Sequence, residues 1–153
     1  MAESFDIDET LFSELVHFYG EVFHLPPMAA KIYAFLFFDW DREGTTFEDL
    51  LEKFGASKSS ISTSLNLLLN FKLIKDLKPE SRKRYFVTNE EFIKLRFQTI
   101  VRLMKTELDM IKRIAVYKKD APTFYIENYE VYKALLENNI KNIENSLNQI
   151  YHD

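Results

Sequence analysis

Apolar residues recur at helical spacing through most of this chain, and short polar breaks divide it into predicted elements. A first helix is expected over residues 8–23, and a second from about Pro27 to Asp39. Proline is tolerated in the first turn of a helix, so Pro27 is compatible with that start. The polar stretch at 39–44 predicts a loop after the second helix.

Two short helices joined by a tight turn are predicted next, within residues 45–88. Thr46 can cap the first helix together with Asp49, which lies three residues further on. Gly55 follows where a left-handed C-terminal cap is wanted, and Ser57 can cap the second helix. Only two residues separate the end of one helix from the cap of the next, which is typical of a helix-turn-helix.

The second of these helices has one apolar face and one small, polar face. Ile61, Leu65 and Leu68 form a stripe that we expect to be buried. The opposite face is rich in hydroxyl and amide groups, which can approach DNA closely and hydrogen-bond to phosphates and base edges. An ordinary solvated face is the alternative, but serine is a poor helix former, which favours a functional reason for so many. The candidate DNA contacts on this helix are Ser57, Lys58, Ser59, Ser60, Ser62, Thr63 and Asn66.

A β-hairpin is predicted after the helix-turn-helix. Strands are expected over residues 73–77 and 82–87, on either side of a turn that contains Pro79. The basic residues that begin the return strand, and that we expect to contact phosphate, are Arg82, Lys83 and Arg84. A helix-turn-helix followed by a basic hairpin is the order of a winged helix-turn-helix, a mainly helical α+β fold.

The C-terminal part of the chain is predicted to form two long helices. One opens at Thr88, where Glu91 completes a second capping box, and at about 30 residues it would be roughly 45 Å long. The other starts near Pro122 and carries an apolar seam over residues 125–150. The seam can pack within one chain or between two copies. Because the first long helix has two apolar faces, we expect a homodimer, with recognition helices about 34 Å apart on DNA.

Charge is distributed unevenly along the chain. The formal net charge is −4, yet residues 53–84 hold eight basic and two acidic side chains, a local excess of +6. The remainder of the chain therefore carries −10. An acidic chain with its positive charge gathered in one module is expected when that module alone faces nucleic acid. Double-stranded DNA is thus the predicted partner.

Several other classes of function find no support in the sequence. There are no cysteines, and the three histidines show no metal-ligand spacing. No nucleotide-binding, hydrolase or metalloprotease motif is present, so we expect no enzyme, no catalytic residue, no metal and no cofactor. The acidic N-terminus shows no signal-peptide pattern, and the apolar runs are too short to cross a bilayer. We therefore expect a cytoplasmic protein with no membrane partner.

Three segments together resemble a known family. They are LPPMAAKIY at residues 25–33, SKSSIS at 57–62 in the recognition helix, and RKRY at 82–85 in the hairpin. Their combination is similar to the MarR superfamily of bacterial transcription regulators, and within it to the GbsR-like branch. The similarity covers about residues 8–120, and the last helix is similar only in general character.

The resemblance implies a sequence-specific DNA-binding transcription regulator. We expect a repressor that binds a pseudo-palindromic operator as a homodimer. The chain departs from the family pattern in two places. Glu80 and Ser81 stand where relatives carry an aspartate, and Thr63 stands where many have arginine. The base contacts of relatives are therefore not transferred to this chain.

The resemblance also implies how the chain is divided. Residues 1–153 are expected to form one MarR-like domain, with a DNA-binding lobe at 27–88 and dimerisation helices at 8–23 and 89–151. Two alternatives are a winged-helix protein-interaction module that never binds DNA and a helical structural adaptor. An interaction module would more often expose an apolar patch where this chain has its basic hairpin, and an adaptor leaves the +6 excess unexplained.

A small-molecule effector is the last partner that the resemblance implies, because many MarR-type proteins respond to such compounds. Aromatic residues are abundant here, with 14 Phe, eight Tyr and one Trp. Aromatic rings at helical spacing are usually core, and some can also line a cavity for an apolar or cationic ligand. The candidate pocket residues are Tyr19, Trp40, Tyr117, Tyr125 and Tyr129.

Overall fold

The computed structural model describes residues 6–118 and 120–152. Over these residues it has six α-helices and two short β-strands, which fall into two compact units. The first unit ends at Glu90 and the second begins at Glu91. In chain order the elements are α1 (Glu9–Val22), α2 (Pro27–Leu36), α3 (Phe47–Phe54), α4 (Lys58–Asn70), β1 (Ile74–Asp76), β2 (Phe86–Thr88), α5 (Phe92–Tyr117) and α6 (Thr123–Ile150).

Helix α2 is the centre of the first unit. Seven of its ten residues are buried, because small and apolar side chains cover nearly all of its faces. It packs against α1, against α4 and against β2. In α1, the Tyr19 ring stacks with the rings of Phe23 and Phe37, at centroid distances of 5.5 and 5.2 Å. The core that supports α4 and the hairpin therefore lies around α2.

Local caps build the helix-turn-helix as the sequence predicts. Thr46 Oγ1 accepts a hydrogen bond from the Asp49 N–H, and the Asp49 carboxylate accepts one from the Thr46 N–H. Gly55 adopts a left-handed backbone, with φ of 58°, and ends α3. Ser57 Oγ accepts a hydrogen bond from the Ser60 N–H at 3.1 Å and starts α4. The capping box, the glycine cap and the serine cap are all confirmed.

The hairpin of residues 74–88, hereafter the wing, contains the antiparallel strands β1 and β2. Thr45, in the connection between α2 and α3, forms a further bridge to Phe86. Each of these two residues donates its N–H to the carbonyl oxygen of the other, at 2.9 and 2.8 Å. The sequence patterns do not predict this bridge, which ties the wing to the segment that starts α3.

Two predicted boundaries in the first unit are wrong. Helix α2 ends at Leu36 rather than near Asp39, because the N–H groups from Phe37 onward bond three residues back and form turns. The return strand begins at Phe86 rather than at Arg82. Residues 82–85, which were predicted to belong to this strand, instead complete the turn, where Arg84 and Tyr85 donate hydrogen bonds to the Asp76 carboxylate.

The predicted start of the first long helix is also wrong. Thr88 pairs with Ile74 at the end of the wing, so it belongs to β2 and does not cap a helix. Helix α5 begins at Phe92 instead, and no side chain caps it. Its 26 residues correspond to about 39 Å.

The second unit is a hairpin of the helices α5 and α6. Ion pairs join Lys105 to Glu144 and Lys112 to Glu137. Residues early in α5 thus face residues late in α6, which makes the pair antiparallel. Short helix-to-helix connections favour this arrangement.

The middle of the predicted apolar seam of α6 is buried within this chain. Leu136 and Ile140 are buried, whereas Tyr125 and Ile150 at the two ends are exposed. Packing within one chain, one of the two possibilities raised by the sequence, therefore accounts for the middle of the seam.

Candidate nucleic-acid interface

Helix α4 presents its polar face to solvent because its apolar stripe is fixed in the core. Ile61, Leu65 and Leu68 are buried, as their spacing predicts. Ser60 is half-buried, and its N–H donates to the Ser57 cap. The predicted DNA contacts that are exposed on this helix are Ser57, Lys58, Ser59, Ser62, Thr63 and Asn66.

The first turn of α4 has the electrostatic character of an anion-facing end. It contains no acidic residue and carries the exposed Lys58. The Ser57 and Ser59 hydroxyl oxygens lie 3.2 Å apart and share a hydrogen bond. Free N–H groups at a helix N-terminus add a partial positive charge to that of the lysine.

Helix α4 and the wing meet in one groove of about 430 Å³. Five of the ten predicted contact residues line it, and the other five lie outside it on the first two turns of α4 or at its cap. The first turn of α3 forms part of the wall. This interface groove is lined by Phe47, Glu48, Ser62, Leu65, Asn66, Arg82, Lys83, Arg84 and Phe86.

The three basic residues of the groove differ in their contacts with other side chains. Arg82 is exposed and has no hydrogen-bonding or ionic partner within residues 6–118 and 120–152. The Lys83 ammonium lies 3.9 Å from the carboxylate of Glu48, a loose and exposed pair. Arg84 donates from Nε to Asp76 Oδ2 at 3.2 Å. One cation is thus free, one is loosely paired and one is oriented.

Sequence reasoning missed the two acidic members of this arrangement. Glu48 reaches the groove from α3, and Asp76 reaches Arg84 from β1. The only available signal for Asp76 was its place opposite the basic residues in a predicted hairpin. No local pattern places Glu48 beside Lys83, which is 35 positions away along the chain.

Comparisons with known proteins bear on the fold of this chain. No protein-family model matches it, and no curated protein sequence does so either. Three chains of solved structures match. One of them, described as "Crystal Structure of a transcriptional regulator", has a TM-score of 0.58 and 20% sequence identity, over 92% of this chain and 95% of that chain. The fold is a winged helix. The prediction of a mainly helical α+β winged helix-turn-helix is therefore confirmed.

The excess positive charge of residues 53–84 is partly neutralised by a carboxylate from outside that segment. Lys75 is one of the eight basic residues of the segment 53–84, and it pairs with Glu90, which follows that segment. Arg42 contacts the same carboxylate at 2.9 Å. The hydrogen bond from Lys75, with a smaller contribution from the Arg42 charge, lowers the pKa of Glu90 below its ordinary value. Carboxylates thus pair with three of the eight basic residues, Lys75, Lys83 and Arg84, whereas Arg82 in the groove has no such partner among the described residues.

Two of the proposed effector-pocket residues belong to the first unit. Tyr19 is half-buried and its ring stacks with those of Phe23 and Phe37, so packing within the first unit accounts for its position. Trp40 lies in the loop after α2 and is 80% exposed.

The other three proposed pocket residues belong to the second unit. Tyr117, at the end of α5, is 90% exposed, and Tyr125 is also exposed. The Lys118 ammonium lies 4.5 Å from the centroid of the Tyr125 ring, which is within range of a cation–π contact. Tyr129 is half-buried. The effector pocket stays a prediction.

The described part of the chain offers neither a membrane-spanning helix nor a cluster of metal ligands. None of the helices there is both long enough and apolar enough to cross a bilayer. Within the same residues, no three or more acidic or histidine side chains cluster closely enough to hold a metal ion.

Proposed function

We propose that this protein is a sequence-specific DNA-binding transcription regulator of the MarR type, acting as a repressor on a pseudo-palindromic operator. The observation that carries the proposal is the interface groove. There, Ser62 and Asn66 of the recognition helix and the basic residues of the wing line one surface. Hydroxyl and amide groups suit base edges, and guanidinium groups suit phosphates. The solved structure described as a transcriptional regulator supports the same interpretation through its fold.

The test begins with selection of bound genomic fragments by the purified protein, which would yield the operator. Affinity for that operator would then be measured at several salt concentrations. Replacing Arg82 by Ala should weaken binding to operator and random DNA alike, and should lower the salt slope by about one unit. Lys141→Ala, an equal charge change at an exposed position of α6, serves as the control.

Sequence choice is assigned to the polar face of α4. Asn66→Ala or Ser62→Ala should cost on the order of 1–3 kcal/mol of binding free energy on the operator if the side chain contacts a base, and much less on random DNA. Equal losses on both DNAs would reduce these residues to backbone contacts. Failure of the selection to enrich any sequence would favour the interaction module that does not bind DNA.

The homodimer is part of the proposal, and exposed apolar side chains on the second unit support it. Leu103, Ile114 and Leu135 are each more than half exposed on α5 or α6. Sedimentation equilibrium at micromolar concentration should give twice the 18.2 kDa chain mass.

Two neighbouring leucines separate dimerisation from packing within the hairpin. Leu135 is 57% exposed and Leu136 is 7% exposed. Leu135→Lys should yield a folded monomer, because it charges an exposed apolar surface. Leu136→Lys should lower the melting temperature of the chain, because it buries a charge between α5 and α6. A dimer that survives Leu135→Lys unchanged would exclude this surface from the interface.

An effector that adjusts DNA affinity completes the proposal. The exposed rings of Tyr117 and Tyr125 support a site for an apolar or cationic compound in the second unit. Compounds found by a thermal-shift screen should change operator affinity by their differential affinity for two states of the dimer. Compounds that raise the melting temperature and leave DNA binding unchanged would count against a regulatory site.

A further inference from the structure

A single carboxylate organises the basic end of the wing. Asp76 Oδ1 accepts hydrogen bonds from the N–H of Lys78, at 3.1 Å, and from the N–H of Tyr85, at 3.2 Å. Its other oxygen, Oδ2, accepts one from Arg84 Nε at 3.2 Å. The first two bonds fix the backbone on both sides of the turn, and the third fixes a side chain. Asp76 is only 15% exposed, as expected for a carboxylate enclosed by its donors.

The bond to Asp76 uses only one edge of the Arg84 guanidinium. Neither terminal nitrogen of Arg84 has a partner among the described residues, and the side chain is half exposed in the interface groove. The guanidinium carbon lies over the Phe86 ring, 5.0 Å from its centroid, which is within range of a cation–π contact. Arg84 is thus held by the bond from its Nε and by the contact with the Phe86 ring, while its two terminal NH₂ groups remain available.

An arginine held in this way binds phosphate with little further loss of side-chain freedom. Ordering one long side chain at an interface otherwise disfavours binding about two- to tenfold. The terminal nitrogens of a guanidinium match the oxygens of a phosphate in a bidentate arrangement. Arg82, which has the same charge and no partner among the described residues, does not have this advantage.

We propose that Asp76 is a positioning residue that orients Arg84 to contact a DNA phosphate at the interface groove. The inference rests on the proposed DNA-binding function and adds the separate roles of the wing cations. Arg84 provides an oriented contact, and Arg82 provides an adaptable one. Asp76 itself does not contact DNA.

This role predicts a result opposite in sign to simple electrostatics. Removing a negative charge near DNA should strengthen binding if charge alone matters. Asp76→Asn retains an oxygen that can accept from Lys78 and Tyr85, but it places an NH₂ donor against Arg84 Nε. The variant should therefore keep the hairpin and release Arg84, so that operator affinity falls about two- to tenfold despite the lost negative charge.

Glu80→Gln is the matched control. Glu80 is exposed in the turn of the same wing, and no partner for it is found among the described residues. Its substitution removes the same charge without touching Arg84, so operator affinity should stay constant or rise. In an Arg84→Ala background, Asp76→Asn should cause no further loss, because the residue it positions is gone.

A spectroscopic measurement without DNA tests whether the substitution releases Arg84. The Nε–Hε resonance of Arg84 in a ¹⁵N NMR spectrum should shift toward the free-arginine position and exchange faster in Asp76→Asn. The backbone amide resonances of Thr45 and Phe86 should stay in place if the wing is intact.

The outcomes separate this inference from the proposed function. If the wild-type protein binds no DNA under any condition, the proposed function falls and the positioning role falls with it. If the wild type binds and Asp76→Asn behaves like Glu80→Gln, only the positioning role is overturned. The positioning role is likewise overturned if Asp76→Asn weakens binding equally with and without Arg84.

Discussion

Gly44 is the position where a single added carbon should do most damage to the winged helix. Its backbone has φ of +88°, a conformation that residues with side chains rarely adopt. A Cβ at Gly44 would lie 2.7 Å from the Cβ of Tyr85 and 3.4 Å from the Tyr85 backbone. Gly55 offers a natural comparison, because it also has positive φ, of +58°, but nothing lies within 4 Å of its added Cβ.

The expected free-energy losses follow from these two environments. Alanine in a left-handed conformation costs about 1–2 kcal/mol of folding free energy, and this applies to Gly55→Ala. Gly44→Ala adds a contact closer than real Cβ atoms show, so the loop and the wing must separate. The two hydrogen bonds between Thr45 and Phe86 would weaken, each contributing about 0.5–1.5 kcal/mol. Gly44→Ala should therefore lose about 2–5 kcal/mol.

Urea unfolding followed by far-ultraviolet circular dichroism would measure both free energies of unfolding. Hydrogen exchange would locate the effect, since the amides of Thr45 and Phe86 should exchange faster in Gly44→Ala than its loss of global stability accounts for, whereas in Gly55→Ala any increase should match the global loss. Equal stability losses in the two variants, with equal protection of those amides, would refute a special role for the close approach of Gly44 to Tyr85.

Three further predictions concern other parts of the first unit. Leu68 is fully buried, so Leu68→Ala should lower the free energy of unfolding by about 2–5 kcal/mol, and a loss below about 1 kcal/mol would contradict its core position. Ser57→Ala removes the α4 cap and should cost about 1 kcal/mol by the same assay. Because the folded pKa of Glu90 is lowered, its stabilising contribution is present above the ordinary carboxyl pKa and is lost as the pH falls through the lowered value. Glu90→Gln should therefore flatten the acid side of a melting temperature–pH curve, and an unchanged curve would count against the pair with Lys75.

The parts of the fold that the sequence predicts correctly depend on contacts within one turn of helix. The capping box of Thr46 and Asp49 spans three residues, and the Ser57 cap reaches Ser60. The buried stripe of α4 follows from helical spacing alone. Such features need no knowledge of the rest of the chain, which explains why the helix-turn-helix was predictable.

The errors arise where a distant partner overrides a local pattern. Thr88 and Glu91 have the spacing of a capping box, but pairing with Ile74 draws Thr88 into the wing. In the same way, the bridge between Thr45 and Phe86 joins residues 41 positions apart. Closing such loops depends on the tertiary packing around them, so no short window of sequence contains the information.

In the candidate site too, the sequence predicts the local features, and contacts between distant residues determine the rest. The sequence identifies which residue types could contact DNA, and the structure places Ser62, Asn66 and the wing cations around one groove. Individual roles for Arg82 and Arg84 could not be predicted from sequence, because their difference depends on Asp76, eight residues before Arg84 and across a turn.

Because Trp40 is exposed, its intrinsic fluorescence can report binding to this part of the protein. It is the single tryptophan of the sequence and is 80% exposed while the loop backbone is fixed by the bonds from Glu43 and Gly44 to Asp39. Its fluorescence should already be that of an indole in water in the folded protein, so unfolding should move the emission maximum little. A blue shift would instead report that another molecule has covered the ring. Titrations of DNA, of small molecules and of protein concentration could each be followed by this one signal, without attaching a dye.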